Sequence, residues 1–166
     1  MKENIIETYR PEYKDKVISL ILEIQQEEFN VPVKLEDLPD LQNIEEYYFV
    51  RDGKFWVATD HKEVVGTIAV IDIGHNQFAL RKMFVAKDYR GRERGIAQML
   101  LDEVIRWARL KGVTTIYLGT IDFFLAAQKF YLKNGFIEIQ ASSLPQHFPK
   151  MKVDNRFFML DLENKL

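Results

Sequence analysis

Apolar residues repeat at helical spacing in some stretches of the chain and alternate or cluster in others. After a short strand-like opening at about residues 4–9, they follow one another at spacings of three, four and five. This spacing predicts an amphipathic helix that starts at Pro11 and ends near Asn30. A weaker helical segment is predicted from about 35 to 48, with an interruption near Pro39.

The centre of the chain is strand-like and leads into two further helices. Asp60-His61-Lys62 separates two apolar runs and predicts a hairpin turn. Helical spacing then predicts a helix that starts at Ile96 and is closed by Lys111-Gly112, and a second helix at about 123–133. The strands after the first are predicted at 55–58, 64–70, 77–85, 115–118, 136–139 and 156–160.

The resulting order, β-α-α-β-β-β-α-β-α-β-β, predicts an α+β (mixed α/β) fold in three layers. A right-handed β-α-β crossover around the helix that follows Gly95 places one parallel pair in a mostly antiparallel sheet. The length of 166 residues suits a single domain over residues 1–166, since no repeat or linker divides the chain.

Composition narrows the classes of function. The absence of cysteine excludes disulfides, thiolate metal sites and a cysteine-linked acyl intermediate, and the histidines and carboxylates lack the spacing of metal ligands. A formal net charge of -2 attracts neither nucleic acid nor an anionic membrane. Because the first residues contain no apolar signal region, we expect a cytoplasmic protein. We expect it to be a monomer or a homodimer.

The strongest chemical feature is the loop that joins a strand to the helix beginning at Ile96. Glycine lets backbone amides approach a ligand, and the start of a helix leaves its N–H groups free at the positive end of the dipole. Together with Arg90, Arg92 and Arg94, these amides would suit a pyrophosphate. The alternative is a solvated turn whose arginines face water.

Two motifs resemble the GNAT N-acetyltransferase superfamily. Arg92-x-x-Gly95-x-Ala97 matches the family's R/Q-x-x-G-x-G/A signature, which binds the pyrophosphate of coenzyme A, and the segment from Ala127 to Phe136 resembles its A-x-x-x-Y-x-x-x-G-F hallmark. The resemblance implies a GNAT-like fold over nearly the whole chain, with acetyl-CoA as co-substrate. It implies pyrophosphate contacts from Arg90, Gly91, Arg92, Arg94, Gly95, Ile96 and Ala97.

The resemblance also implies roles near the reacting atoms. It assigns the oxyanion donor and the contacts to the pantetheine arm to the backbone of Met83-Phe84-Val85, and it assigns to Tyr131 the general acid that protonates the leaving thiolate. Two departures stand out. Arg92-Glu93-Arg94 separates Gly91 from Gly95 and lengthens the loop, and Phe124 stands where the family often has a cofactor-binding asparagine.

A general base cannot be read from the sequence. The strand that carries Met83 offers Arg81 and Lys82 where some family members have a carboxylate. A relay of water to solvent is the leading interpretation. The other conceivable bases are His75, Asp72, Glu28 and Glu138.

These features predict an N-acetyltransferase that moves an acetyl group from acetyl-CoA to a primary amine of a small molecule or a peptide. The absence of cysteine favours direct transfer in a ternary complex. The alternative is a non-catalytic module that binds coenzyme A as a sensor or an interaction surface. The first two helices and the last loops, about 17–48 and 142–154, are expected to form the acceptor side.

Overall fold

The computed structural model describes residues 4–163, which form one seven-stranded sheet with helices on both faces. The strand order is β1-β2-β3-β4-β5-β7-β6, and β4 and β5 are the one parallel pair among these strands. The predicted α+β architecture with its single parallel crossover is therefore confirmed. The strands are β1 (Asn4–Thr8), β2 (Lys54–Asp60), β3 (Glu63–Gly74), β4 (Gln77–Val85), β5 (Thr115–Thr120), β6 (Ile137–Ile139) and β7 (Arg156–Asp161).

The helices follow the predicted order with two changes. They are α1 (Lys14–Leu22), α2 (Pro39–Gln42), α3 (Ile44–Tyr48), α4 (Ile96–Leu110) and α5 (Leu125–Lys133). The second helical segment is divided into a 3₁₀ turn at Leu35–Asp37 and the short helices α2 and α3. Pro39 lacks an N–H and begins α2, and the non-helical backbone of Asn43 (φ -140°) separates α2 from α3. α5 begins at Leu125 rather than at the predicted 123.

The first predicted helix changes its winding along its length. It starts as a 3₁₀ turn at Pro11–Tyr13, continues as α1 and ends as a π-helical segment at Glu23–Glu28. The Phe29 N–H bonds the Ile24 carbonyl, five residues earlier, at 3.1 Å. Ile24 and Phe29 are five residues apart in the sequence, which equals the span of a π-helical hydrogen bond. The wider turn therefore places both apolar side chains on one face of the helix.

Two apolar layers fix the helices on the sheet. On one face, α1, α2 and α3 bury side chains such as Ile21 and Tyr48 against β2 and β3. On the other face, α4 buries Leu100 and Val104 against Trp56 and neighbouring strand residues. The three-layer arrangement follows because the apolar face of each helix packs on one of the two faces of the sheet.

The fourth strand is irregular at Lys82, and this irregularity shapes the site. Lys82 has a left-handed backbone (φ 55°), and the register with β3 shifts at this point, which marks a β-bulge. The Thr67 hydroxyl donates to the Lys82 carbonyl at 2.6 Å. β4 pairs with β5 only from Gln77 to Leu80, so the two strands separate beyond that residue. The sheet opens there into a cleft.

Within residues 4–163, no helix combines the length and apolar character needed to cross a membrane.

Candidate active site

The larger of two adjoining cavities lies where β4 and β5 separate. Its volume is about 850 Å³, and it is bounded by the end of β4, the loop before α4 and the side of α5. Most residues expected to hold the cofactor line it: Met83, Phe84, Val85, Arg90, Gly91, Arg92, Gly95, Ala97, Phe124 and Tyr131. These ten residues, which lie up to 48 positions apart in the sequence, therefore share one cavity.

The N-terminus of α4 presents free backbone donors to this cavity. Gly95 has a left-handed backbone (φ 69°) and caps the helix. The Met99 N–H bonds the Gly95 carbonyl at 3.0 Å, so the amides of residues 96–98 precede the first intrahelical bond. These amides and the helix dipole favour an anion at this end of the cavity. Of Ile96 only the backbone is available to an anion, because its side chain is buried in the core.

The three arginines of the loop have different surroundings. Arg92 lines the larger cavity. Arg90 also lines it, but its guanidinium forms a two-point ion pair with Glu28 and donates to the Val85 carbonyl at 2.8 Å.

Arg94 turns away from these two arginines. Its guanidinium stacks over the Tyr89 ring, 4.7 Å from the ring centre, and the Tyr89 hydroxyl donates to Asp60 at 2.6 Å. Arg92 is therefore the arginine of the loop whose position best suits a phosphate.

Aromatic side chains form the opposite wall of the larger cavity. The Phe124 ring meets Phe29 edge-on, with 4.7 Å between ring centres, and Phe123 packs beside both. Where the family often has asparagine, this chain therefore offers an apolar surface that extends from α5 to the end of the π-helical segment.

A smaller cavity of about 90 Å³ adjoins the larger one between β4 and β5. Met83, Phe84, Phe124, Ala127 and Tyr131 line both cavities. Tyr131 is 5% exposed. Burial, and the nearby Asp154 carboxylate, raise the pKa of the Tyr131 phenol well above its usual value, so it holds its proton at neutral pH.

Beside the smaller cavity lies a buried cluster of charges that the bulge creates. In a regular strand Arg81 and Lys82 would point to opposite faces, but the bulge lets both approach Asp40. The Asp40 carboxylate lies 3.3 Å from Lys82 Nζ and 3.9 Å from Arg81 Nη2, and it accepts a hydrogen bond from Tyr48 at 2.5 Å. Burial lowers the pKa of Lys82 and raises that of Tyr48.

Asp154 brings a second carboxylate to the smaller cavity, from the segment before β7. Burial raises the pKa of Asp154 to about 6, although Arg81 and Lys82 act to lower it. Gly119 on β5 makes room for this side chain, because a Cβ there would lie 2.6 Å from Asp154 Oδ2. A carboxyl group with this pKa can exchange a proton near neutral pH.

The four conceivable bases are engaged elsewhere. Glu28 is paired with Arg90, which lowers its pKa. Glu138 is paired with Arg156, and Asp72 accepts backbone N–H groups at the far end of β3. His75 occupies the turn between β3 and β4, where its ring packs on His147.

Asp154 is the carboxylate that sequence reasoning missed at this site. It follows a proline-bearing loop without periodicity, so its neighbours along the chain give no sign that it reaches β5. Among residues 4–163, no group of three or more histidines and carboxylates is arranged to hold a metal ion.

The comparison with known families decides the identity of the fold. Residues 18–136 match the Acetyltransferase (GNAT) family. The chain belongs to this family. The resemblance drawn from the two motifs is thereby confirmed, and the family's reaction class is acetyl transfer.

Solved GNAT structures superpose on the whole chain. An acetyltransferase of the GNAT family from Staphylococcus aureus Mu50 has a TM-score of 0.92 and 46% identity, covering 96% of this chain and 99% of its own. An acetyltransferase from Streptococcus agalactiae 2603 has a TM-score of 0.92 and 28% identity over 98% and 100%. PaiA N-acetyltransferase from Thermoplasma acidophilum, solved in complex with coenzyme A, shares 17% identity and supports the fold alone (TM-score 0.71; 95% and 98% covered).

Curated relatives are longer proteins. N-acetylaspartate synthetase of Xenopus tropicalis is 39% identical over 99 residues, which are 58% of this chain and 36% of that protein. N-acetyltransferase 8F1 of Rattus norvegicus is 33% identical over 102 residues, which are 58% and 45%. The chain thus spans less than half the length of these two relatives.

The anion site at the start of α4 leads to a prediction for Gly95→Asp. A Cβ at Gly95 meets only the Arg92 carbonyl, at 3.9 Å, so the cost to folding is the left-handed backbone, about 1–2 kcal/mol. A carboxylate facing a pyrophosphate costs several kcal/mol, which corresponds to a loss of acetyl-CoA affinity of more than ~100-fold. Isothermal titration calorimetry measures the affinity, and circular dichroism checks the fold.

Gly112→Asp is the matched control at the other end of α4. Gly112 is also left-handed (φ 75°), and a Cβ there meets nothing within 4 Å. We expect this variant to bind acetyl-CoA as the parent does. Gly95→Asn separates bulk from charge, and it should weaken binding less than Gly95→Asp. Parent-like affinity in a folded Gly95→Asp protein would show that the pyrophosphate binds elsewhere.

Proposed function

We propose that the chain is an N-acetyltransferase that moves an acetyl group directly from acetyl-CoA to a primary amine in a ternary complex. The observation that carries this proposal is the meeting of the two cavities at Tyr131. The larger cavity has the donors that an anionic cofactor needs, and charged side chains line part of the smaller one, among them a carboxyl group that can exchange a proton near neutral pH. We propose residues 1–166 as the catalytic domain; a cytoplasmic location and a monomeric or homodimeric state stay predictions.

The residues of the larger cavity fit coenzyme A. Free amides at 96–98 and the Arg92 guanidinium suit the pyrophosphate, and the unpaired edge of β4 beyond Leu80 suits the amide groups of the pantetheine arm. Phe124 and its aromatic neighbours supply an apolar wall. Acetyl-CoA contributes an activated thioester when bound, and backbone N–H groups at Met83-Phe84-Val85 are the proposed donors to its developing oxyanion.

Asp154 is our candidate for the general base. An amine acceptor arrives as an ammonium group at neutral pH and must lose a proton before it attacks. With a pKa of about 6, the Asp154 carboxylate is ionised at pH 7 and can accept that proton. The new carbon–nitrogen bond forms as the carbon–sulfur bond breaks, and the proton passes from Asp154 to solvent.

Tyr131 is our candidate for the donor to the leaving thiolate. Its raised pKa lies above the value of about 8.5 for a thiol, so complete proton transfer to sulfur is uphill. The phenol therefore acts first as a hydrogen-bond donor that stabilises the thiolate. Its proximity to Asp154 gives a proton an exchange route between the two groups.

Acetyl-CoA binding and thiol release test the proposed function. A ligand at ~100 times its Kd stabilises a fold by about 2.7 kcal/mol, which raises Tm by roughly 5–11 °C for a domain of this size. Acetyl-CoA should produce this shift and NAD should not. Thiol release should then depend on an added amine. A shift without turnover across a broad amine panel would favour the non-catalytic coenzyme A sensor, and no shift would contradict both functions.

The pH profile of Asp154→Asn tests the base. In the parent, kcat/KM should rise with a midpoint near pH 6 and then level off, because the ionised carboxylate is the active form. The variant should lose about 10²-fold at pH 7 and keep rising toward the pKa of the amine itself. A variant that retains the midpoint near pH 6 would remove Asp154 from this role.

The same variant has an opposite effect on stability. Because the folded state raises the pKa of Asp154, folding favours the protonated form, and the ionised carboxylate reduces stability as the pH rises from about 4 through 6. Asp154→Asn should therefore unfold at the same or a higher Tm than the parent at pH 7. A lower activity together with a higher Tm separates a catalytic loss from a folding defect.

Tyr131→Phe tests the donor to sulfur. The substitution keeps the ring, so acetyl-CoA affinity should survive, while kcat should fall toward the lower end of the 10²–10⁴-fold range typical of general acids. Phe130→Leu is a control on the neighbouring aromatic, whose ring carries no hydroxyl. If kcat of Tyr131→Phe stays within about twofold of the parent, the hydroxyl has no part in the reaction.

A further inference from the structure

Two polar atoms beside the smaller cavity lack hydrogen-bond partners. Arg81 Nη1 and Gln25 Oε1 are shielded from solvent, and neither has a partner among residues 4–163. Both side chains line the cavity, and each residue is 7% exposed. Buried polar atoms are nearly always paired in folded proteins, so an unpaired donor and an unpaired acceptor in one cavity indicate a ligand that completes them.

The other terminal nitrogen of the Arg81 guanidinium is already engaged, and the guanidinium also interacts with the Tyr47 side chain. Arg81 Nη2 donates to the Met151 sulfur and lies 3.9 Å from Asp40. Asp40 itself is held by Lys82 and by the Tyr48 hydroxyl. Arg81 therefore has no carboxylate in direct hydrogen-bond contact, and its Nη1 remains available to a ligand.

The cavity has charges of both signs. The Arg81 guanidinium suits an anionic, planar group such as a carboxylate, which it can bind at two points. The carboxylate of Asp154 and the amide oxygen of Gln25 are acceptors that suit an ammonium group. A ligand with an amine and a carboxylate would satisfy all three side chains.

The dimensions favour a small ligand. The cavity measures about 90 Å³, and a bound water needs at least about 10–15 Å³ of such space. That is room for the head of a small molecule. A polyamine would bring a second cation to Arg81 and Lys82, and the N-terminus of a peptide has an amide in place of the carboxylate.

We propose that the acceptor is a small amino acid whose carboxylate binds Arg81 while its amine lies at Gln25 and Asp154. This inference rests on the proposed function, since it names the acceptor of the same site. Arg81 is then a specificity-determining residue. Arg81 selects acceptors through their carboxylate, which takes no part in forming the carbon–nitrogen bond.

Thiol release with matched acceptors tests the preference in the parent protein. Each small amino acid is compared with its amide and with the amine that lacks the carboxylate, for example alanine, alaninamide and ethylamine. We expect kcat/KM to be at least about 10²-fold higher for the amino acid, because a site built to pair a polar group rejects analogues without it. Equal or higher kcat/KM for the amide overturns the inference.

Variants of Arg81 connect the preference to this side chain. Arg81→Gln should lose at least about 10²-fold in kcat/KM for the amino acid and little for ethylamine, so that the preference disappears. Arg81→Lys keeps the positive charge but loses the planar two-point donor. Its kcat/KM for the amino acid should lie between those of the parent and Arg81→Gln. Arg106→Gln is the control, an exposed arginine on α4 that pairs with Glu103. If Arg81→Gln does not fold, Arg81→Lys and the parent panel decide.

A binding experiment separates this inference from the proposed function. N-acetylalanine and N-acetylalaninamide are titrated by calorimetry into protein saturated with coenzyme A. The parent should bind the carboxylate at least about tenfold more tightly, and Arg81→Gln should bind both alike. If the parent shows this affinity difference but turns over no amine, the proposed function is overturned and the carboxylate-binding role of Arg81 stands. Turnover without a carboxylate preference would keep the function and overturn the inference.

Discussion

The bulge at Lys82 is the constraint on which the rest of the site depends. One extra residue with a left-handed backbone shifts the register of β4 against β3, and just before it the strand parts from β5. The parting exposes backbone edge where pantetheine would run, and it creates space between two parallel strands that would otherwise be bonded. The same residue brings two successive cations to one carboxylate, Asp40. Geometry and charge at the site thus have a common origin.

The charges of the site reduce its stability in a way that suits catalysis. A buried ion pair gives little net stability, because desolvation offsets its attraction. Asp154 is held in a position where its ionised form is disfavoured, and one guanidinium nitrogen of Arg81 has no hydrogen-bond partner within the described part of the chain. Both features reduce the stability of the protein without ligand. A bound ligand reverses this, because its ammonium group gives Asp154 a proton and its carboxylate pairs with Arg81. Functional sites commonly reduce the stability of the folded protein in this way.

Much of the fold was predictable, because it depends on local periodicity. The apolar spacing and the turn residues located β2, β4, β5 and α4 to within two residues at each end, whereas β3 runs four residues beyond its predicted end at 70. The spacing of five between Ile24 and Phe29 also reflected the π-helical turn, although it was interpreted as part of one α-helix. The loop before α4, which we propose to bind phosphate, and Tyr131 were singled out by motifs whose residues lie close together in sequence.

The segments of the proposed acceptor side, about 17–48 and 142–154, were predicted, but its individual residues were not, because they come from distant parts of the chain. Arg81 and Asp154 are 73 residues apart, and neither stands in a motif that marks it as functional. Arg81 pairs with Ala69, which packs in the apolar layer of α1, α2 and α3, and the left-handed Lys82 that follows brings a second cation to the same carboxylate. Asp40 follows a proline in a weakly periodic stretch, so its burial between two cations becomes visible only when β4 is in place. Pairing across a sheet cannot be read from one strand alone.

Amide hydrogen exchange with and without acetyl-CoA tests most directly whether the opening of the sheet is the cofactor site. The amides of residues 96–98 and those of β4 at 83–85 should gain protection on binding, because the former are free donors at the α4 N-terminus and the latter lie where β4 has lost its β5 partner. Those of residues 77–80, already paired within the sheet, should change little. Protection confined to the opposite face, at α1, α2 and α3, would contradict the account.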